Sequence, residues 1–287
     1  MKVLVSCLGF LSSLVAHPVR SAIAHFLSFL MMTIDKDRYY HTKNNIREAY
    51  PSWTDKQIQT IAKSSYHNLA LTFLEIAAMP YMSTSDILRC ISFENITLIS
   101  EVYARGRGLI LLSGHFGNWE LLAFAAGILS KIPMTIIVKK QRNSYIAGML
   151  EQLRTREGNT IIDADSAAKD IVRDVIRKRP IAFLVDQAGD PNKDIFIEFM
   201  GRPAVTHEAP AQLALRFTVP IIIGFAVRND DGTYRVRLEE IPFDDLSNTQ
   251  EGRIELTKRH VAALESIIHR HPQLWAWQHK RWKYAAP

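Results

Sequence analysis

The spacing of apolar residues changes character along the chain. Residues 3–16 and 21–34 are two 14-residue stretches without a charge, separated by His17-Pro18-Val19-Arg20. A helix of that length is about 21 Å long, short of the roughly 30 Å hydrocarbon core of a bilayer. The pair (residues 1–34) is expected to be a retained membrane-anchoring segment. A cleaved signal peptide ending near Leu14-Val15-Ala16, or two buried core helices, are the other readings. From 35 to about 106 the period is helical. Thr54 stands as an N-cap with Gln57 at N3, a capping box. Ile58, Ile61, Ala62, Tyr66, Leu69, Phe73, Ile76 and Ala77 then recur at three- and four-residue spacing, and Pro80 ends the run.

Beyond 106 short apolar runs alternate with helical stretches. Strands are expected at 109–113, 135–138, 181–185, 195–199 and 221–227, each apolar enough to be buried on both faces. A further strand, 234–239, alternates apolar and polar. Helices are expected near 119–130, 144–157, 167–178, 207–216 and 251–269, followed by a tryptophan-rich tail. This order predicts an α/β fold with a mixed, mostly parallel sheet and flanking helices, preceded by the membrane-associated helical region. No internal repeat or linker divides 35–287, so it reads as one domain, a helical layer (35–106) on an α/β core (107–287).

Composition narrows the function. Of 287 residues, 47% are hydrophobic and 22% charged, which excludes a disordered chain. Two cysteines, Cys7 and Cys90, allow neither a disulfide framework nor a cysteine zinc site. A formal charge of +6 favours an acidic partner: nucleic acid, an anionic lipid surface or an acidic protein.

The candidate chemistry lies in Ser113-Gly114-His115-Phe116-Gly117-Asn118-Trp119-Glu120, where a strand should end and a helix begin. In α/β folds this edge is where ligands bind. Glycines on both sides of His115 permit a sharp turn and close substrate approach, which makes Gly117 and Asn118 candidates for substrate contact. Amides opening the helix are candidate oxyanion donors. With His115 in the turn and Glu120 in the first helical turns, the carboxylate would accept from one imidazole nitrogen. The other nitrogen would then take a proton from a hydroxyl. Without its strand–turn–helix setting, His-x4-Glu is a weak signal, and a satisfied core histidine is the bland alternative.

The motif Gly114–Glu120 resembles the first motif of the bacterial lipid A biosynthesis acyltransferases, the late lauroyl/myristoyl-type enzymes, which are related to glycerolipid acyltransferases. Asp186-Gln187-Ala188-Gly189-Asp190, followed by Ile195–Ala204, resembles the second block. Leu213-Ala214-Leu215-Arg216 before Val219-Pro220 resembles the third. His271-Pro272-Gln273-Leu274-Trp275-Ala276-Trp277-Gln278-His279-Lys280-Arg281-Trp282-Lys283 resembles the C-terminal signature. The resemblance implies a glycerolipid-acyltransferase-like fold, a general base at His115 oriented by Glu120, and a functional arginine at Arg154 or Arg156, with a solvated helix face as the alternative. Asp186, ending a strand, should point into the same crevice or cap the following turn. Ala188 replaces the second acid often found in that block, which puts any role of such an acid in doubt.

In the tail, Trp275, Trp277 and Trp282 alternate with His279, Lys280, Arg281 and Lys283. Such mixing suits single-stranded nucleic acid, a membrane interface or a packed tail; beside greasy N-terminal helices the interface reading is preferred and nucleic acid is not expected. The resemblance implies an acyl thioester donor, on acyl carrier protein, an anionic glycolipid acceptor, no metal or other cofactor, and a place on the bacterial inner membrane with the catalytic domain facing the cytoplasm. The competing readings are an acyltransferase for a glycerophosphate, phosphatidylinositol mannoside or amino-acid lipid, and a non-catalytic basic protein.

Overall fold

The computed structural model describes residues 2–139, 141, 143–164 and 168–284. Four helices come first: α1 (Lys2–Leu14), α2 (His17–Ile34), α3 (Lys36–Ala49) and α4 (Asp55–Ala78). The expected capping box opens α4: Thr54 Oγ1 accepts from the Gln57 N–H, and Gln57 Oε1 accepts from the Thr54 N–H at 2.9 Å. A single 3₁₀ turn containing Pro80 follows α4. Both α1 and α2 pack on α4. At Gly9 a Cβ would fall 2.2 Å from the Ala77 carbonyl oxygen, so glycine lets α1 lie close against α4. Arg20, the charge between the two apolar stretches, donates to the carbonyls of Ser12 and Val15, compensating the C-terminal end of α1.

Short helix α5 (Thr84–Arg89), strand β1 (Ile91–Phe93) and helix α6 (Thr97–Tyr103) follow. The run expected to be wholly helical thus gives up three residues to the sheet, and three apolar-polar-apolar residues are too few for periodicity to register. The core then alternates: β2 (Ile110–Ser113), α7 (Trp119–Ser130), β3 (Thr135–Val138), α8 (Ser144–Thr155), β4 (Thr160–Asp163), α9 (Ala168–Ile176) and β5 (Ile181–Leu184). Ala167, where the ninth helix was expected to begin, lies outside the described residues. A hairpin, β6 (Ile195–Phe199) and β7 (Arg202–Thr206), leads to α10 (Ala209–Phe217), β8 (Ile221–Arg228), β9 (Tyr234–Ile241) and α11 (Gln250–Arg270).

Seven strands form the main sheet in the order β1-β9-β8-β2-β5-β3-β4. Five run parallel, while β9 is antiparallel to β8 and parallel to β1. The mostly parallel, mixed α/β sheet expected from the sequence is present. Two expectations need correction. The strand at 195–199 is not a core strand but half of a separate antiparallel pair. β4 and β7 were not foreseen, because β4 is only half-buried and β7 carries Pro203, which reads as a breaker.

The tail is the larger correction. Trp275 and Trp277 are 1% and 0% exposed, and their rings pack edge to face at 4.7 Å. Arg281 is buried too, donating to Val205 O and to Thr206 Oγ1, and lying over the Phe199 ring. The segment reads aromatic and basic because it threads the core, where an arginine can satisfy oxygens of β7, so it forms no interfacial belt.

Candidate active site

Strands β2 and β5 are neighbours, and Ser113 pairs with Leu184 at their common carboxyl end. His115 and Asp186 each stand two residues past that pair. Their side chains meet: His115 Nδ1 lies 2.8 Å from Asp186 Oδ1, and the His115 backbone N–H donates to Oδ2 at 2.8 Å. The Trp275 indole N–H adds a third hydrogen bond to Oδ2 at 2.9 Å. Burial by itself would raise the Asp186 carboxyl. The His115 charge and hydrogen bond, His279 and the Trp275 N–H outweigh it and hold the group well below the usual carboxylate range. A carboxylate on Nδ1 leaves Nε2 as the basic nitrogen, and His115 is partly exposed to the cleft where Asp186 is wholly buried. The Gln187 side-chain nitrogen sits 3.0 Å from that Nε2.

Glu120 is elsewhere. Its carboxylate is forked by Arg154, Nε to Oε2 at 2.8 Å and Nη2 to Oε1 at 2.5 Å. The expectation that Glu120 holds the imidazole is therefore corrected: Asp186 does. Glu120 is on α7 and Arg154 on α8, and the bidentate geometry is the one a guanidinium makes best. Arg154 lines the cleft with His115 and Glu120. Arg156 points away, donating to Met82 O at 3.0 Å and lying over the Phe124 ring. The strand before α8 is β3, which β5 separates from β2.

Gly117 and Asn118 shape the turn rather than offering groups to a ligand. Gly117 has φ +56°, and a Cβ there would lie 1.9 Å from Ala226 O, so only glycine fits against β8. Its N–H goes to Leu274 O at 2.9 Å. Asn118 caps α7 by accepting from Leu121 N–H and donates to Glu75 Oε2, both at 3.0 Å. Asp190 N–H and His207 Nδ1 both bond Asp194, and the Asp190 carboxylate accepts from Asn192 N–H at 3.0 Å, within its own loop.

The sequence reading left out one set of residues, on α4. Ser65, Asn68, Thr72 and Glu75 are buried and bond to the tail and to the turn that carries His115. Ser65 donates to Trp275 O, Asn68 to Leu274 O and Thr72 to Gly117 O, at 2.8, 3.2 and 2.9 Å. Glu75 accepts from Asn118, from the Tyr234 hydroxyl at 2.6 Å and from Arg228. The available signal was weak: the four recur at 3-4-3 spacing along one helix face, but α4 carries other polar residues, such as Lys63, Ser64 and His67, on its remaining faces. On the other side the tail pairs with the turn, Ala276 N–H donating to His115 O at 3.0 Å. His115 is thus held from β2, β5, α4 and the tail.

The site opens into a cleft of about 2270 Å³. Its walls carry apolar side chains from α1, α2, α4, α7 and α8, with His115, Arg154, Lys193 and Lys283 among the polar ones. Phe73, one of the apolar residues at helical spacing on α4, is half exposed and lines this cleft. A base with a fixed tautomer beside a long apolar cleft and scattered cations suits proton abstraction from a hydroxyl on an amphipathic, anionic molecule.

A family model described as bacterial lipid A biosynthesis acyltransferase matches residues 2–284. Comparison with curated proteins gave no match.

Proposed function

The chain belongs to the bacterial lipid A biosynthesis acyltransferase family and is an acyltransferase, and on that premise we propose that it moves a fatty acyl chain from acyl carrier protein to a hydroxyl of a lipid A precursor. The observation that carries this reading is the His115–Asp186 pair, with Nε2 turned to the apolar cleft beside the Gln187 amide. Asp186 keeps the proton on Nδ1. Nε2 takes the acceptor proton as the acceptor oxygen bonds to the thioester carbonyl carbon; the carbon–sulfur bond then breaks and the thiolate recovers that proton. The products are an ester and a free thiol, and each proton is accounted for.

Glu120 acts one step away, fixing Arg154 on the cleft wall. Two of the five guanidinium N–H groups go to Glu120, leaving others for an acceptor phosphate. The apolar walls take the acyl chains. The basic surface suits the acidic carrier protein.

The N-terminal helices serve as a surface anchor in this reading. No helix among the described residues is long and apolar enough to cross a membrane. Phe10, Leu11 and Leu14 on α1, with Val19, Phe26 and Phe29 on α2, are at least half exposed, and their opposite faces pack on α4 or line the cleft. Such a surface fits in-plane insertion in the inner membrane from the cytoplasmic side, which would let a lipid enter the cleft without leaving the bilayer.

The test is direct. Purified protein is given a lauroyl thioester of acyl carrier protein and a lipid A precursor, and products are read by mass spectrometry. One added acyl chain on the precursor is expected. Acylation of a glycerophosphate, phosphatidylinositol mannoside or amino-acid lipid instead would move the assignment to that lipid. No transfer to any lipid in a total extract would rule the acyl-transfer reading out.

A further inference from the structure

In the transfer reaction the thioester carbonyl oxygen carries negative charge between attack and loss of the thiolate, and catalysis needs donors aimed at it. The amides of the catalytic turn are largely committed. His115 N–H goes to Asp186 Oδ2, Phe116 N–H to Gly114 O and Gly117 N–H to Leu274 O, at 2.8, 2.7 and 2.9 Å. In the first turn of α7, Leu121 N–H is taken by Asn118. This leaves Trp119 and Glu120 as the orphan amides of that turn.

A second imidazole stands opposite. The His279 ring lies edge-on to His115, centroids 5.4 Å apart and planes at 71°. Both rings line the cleft. The His279 ring makes no hydrogen bond among the described residues. Its backbone, by contrast, is fixed: His279 N–H donates to Ala276 O at 3.2 Å, His279 O accepts from Asn45 Nδ2 at 3.0 Å, and Ala276 itself bonds to His115 O. The tail therefore places one imidazole against the other through main-chain bonds. Asp186 accepts from His115 twice and from Trp275, and no hydrogen bond joins it to the His279 ring.

Burial, and then the positive charge of His115, lower His279 to about 4. A neutral imidazole has one N–H to give and does not compete with His115 for the acceptor proton.

We propose that His279 is a second catalytic histidine, whose neutral ring donates an N–H to the thioester carbonyl oxygen as the acceptor attacks. The proposal rests on the acyl-transfer reading, with His115 as base.

The test measures transfer from lauroyl-acyl carrier protein to a lipid A precursor for wild type, His279→Ala, His279→Gln, His279→Phe and His115→Ala. Loss of one oxyanion donor is worth about 10²–10³ in kcat. His279→Ala should lose that much while KM for both substrates stays within about threefold and the acid limb of the kcat/KM profile keeps its position. His279→Gln, which retains an N–H, should recover at least about tenfold over His279→Phe, which only fills the space. Equal rates for Gln and Phe overturn the proposal, and so does wild-type kcat in His279→Ala. If His279→Ala melts lower than wild type, the Gln–Phe comparison decides. His115→Ala separates the two layers: its inactivity beside a fully active His279→Ala removes His279 alone, and full activity in both removes the base reading itself.

Discussion

His115 Nδ1 and Asp186 Oδ1 are 2.8 Å apart, although 71 residues separate them in the chain. They meet because β2 and β5 are adjacent and in register, so the second residue beyond each strand end projects into one crevice. The pairing gives a sharp expectation. Asp186→Asn keeps the shape, but its amide can hold Nδ1 in the wrong tautomer, and kcat should fall by roughly 10³-fold or more. Circular dichroism should stay native. Steady-state transfer by Asp186→Asn within about tenfold of wild type would show that Asp186 does not orient the base.

The Glu120–Arg154 fork should behave as a buried ion pair. Removing one partner leaves an uncompensated charge and costs about 3–5 kcal/mol, whereas replacing both with apolar residues of similar volume costs much less. In urea, Glu120→Leu and Arg154→Met should each lower the midpoint strongly, and the double variant should recover most of the loss. Additive single effects would mean that the pair is not coupled. Arg154→Lys keeps the charge and loses the fork; transfer to the lipid A precursor should fall at least about tenfold more than thioester hydrolysis without acceptor. Arg156→Lys, facing Met82 and Phe124, should leave both rates near wild type.

Phe26 and Phe29 are among the most exposed apolar residues of α2, at 62% and 59%. Phe26→Asp with Phe29→Asp should weaken flotation with anionic liposomes by roughly tenfold or more, since burying a phenylalanine is worth about 2 kcal/mol. Hydrolysis of a soluble short-chain thioester should be unchanged. Undiminished flotation would assign the lipid-contacting surface to another part of the chain.

Acid should unfold the protein through its buried histidines. Burial lowers His260 to about 3 and His67 to about 4, from an ordinary 6.5. Below 6.5 the unfolded chain binds protons that the folded chain does not, so stability falls as pH drops and the loss levels off near the folded values. Each such histidine should contribute on the order of 1 kcal/mol per pH unit in that window. Urea midpoints at pH 7 and pH 5 should show the loss. His260→Phe should reduce the slope; an unchanged slope would show that His260 is already charged in the fold.

The sequence alone determined what depends on neighbours in the chain. The helical period of α4, its Thr54–Gln57 box, the apolar runs of β2, β3, β5 and β8 and the strand–Gly–His–Gly–helix turn at 113–120 are local, because periodicity, capping and glycine geometry act within a few residues. Only the tertiary structure decided which carboxylate meets His115. Glu120 is five residues away, but the turn and α7 carry it toward Arg154, while Asp186 arrives by strand register across 71 residues. The same holds for the tail, whose tryptophans and cations look like a surface belt in isolation. Their burial follows from backbone bonds to the His115 turn and from the Val205 carbonyl and Thr206 hydroxyl of β7, to which Arg281 donates, long-range partners that no local pattern can reveal.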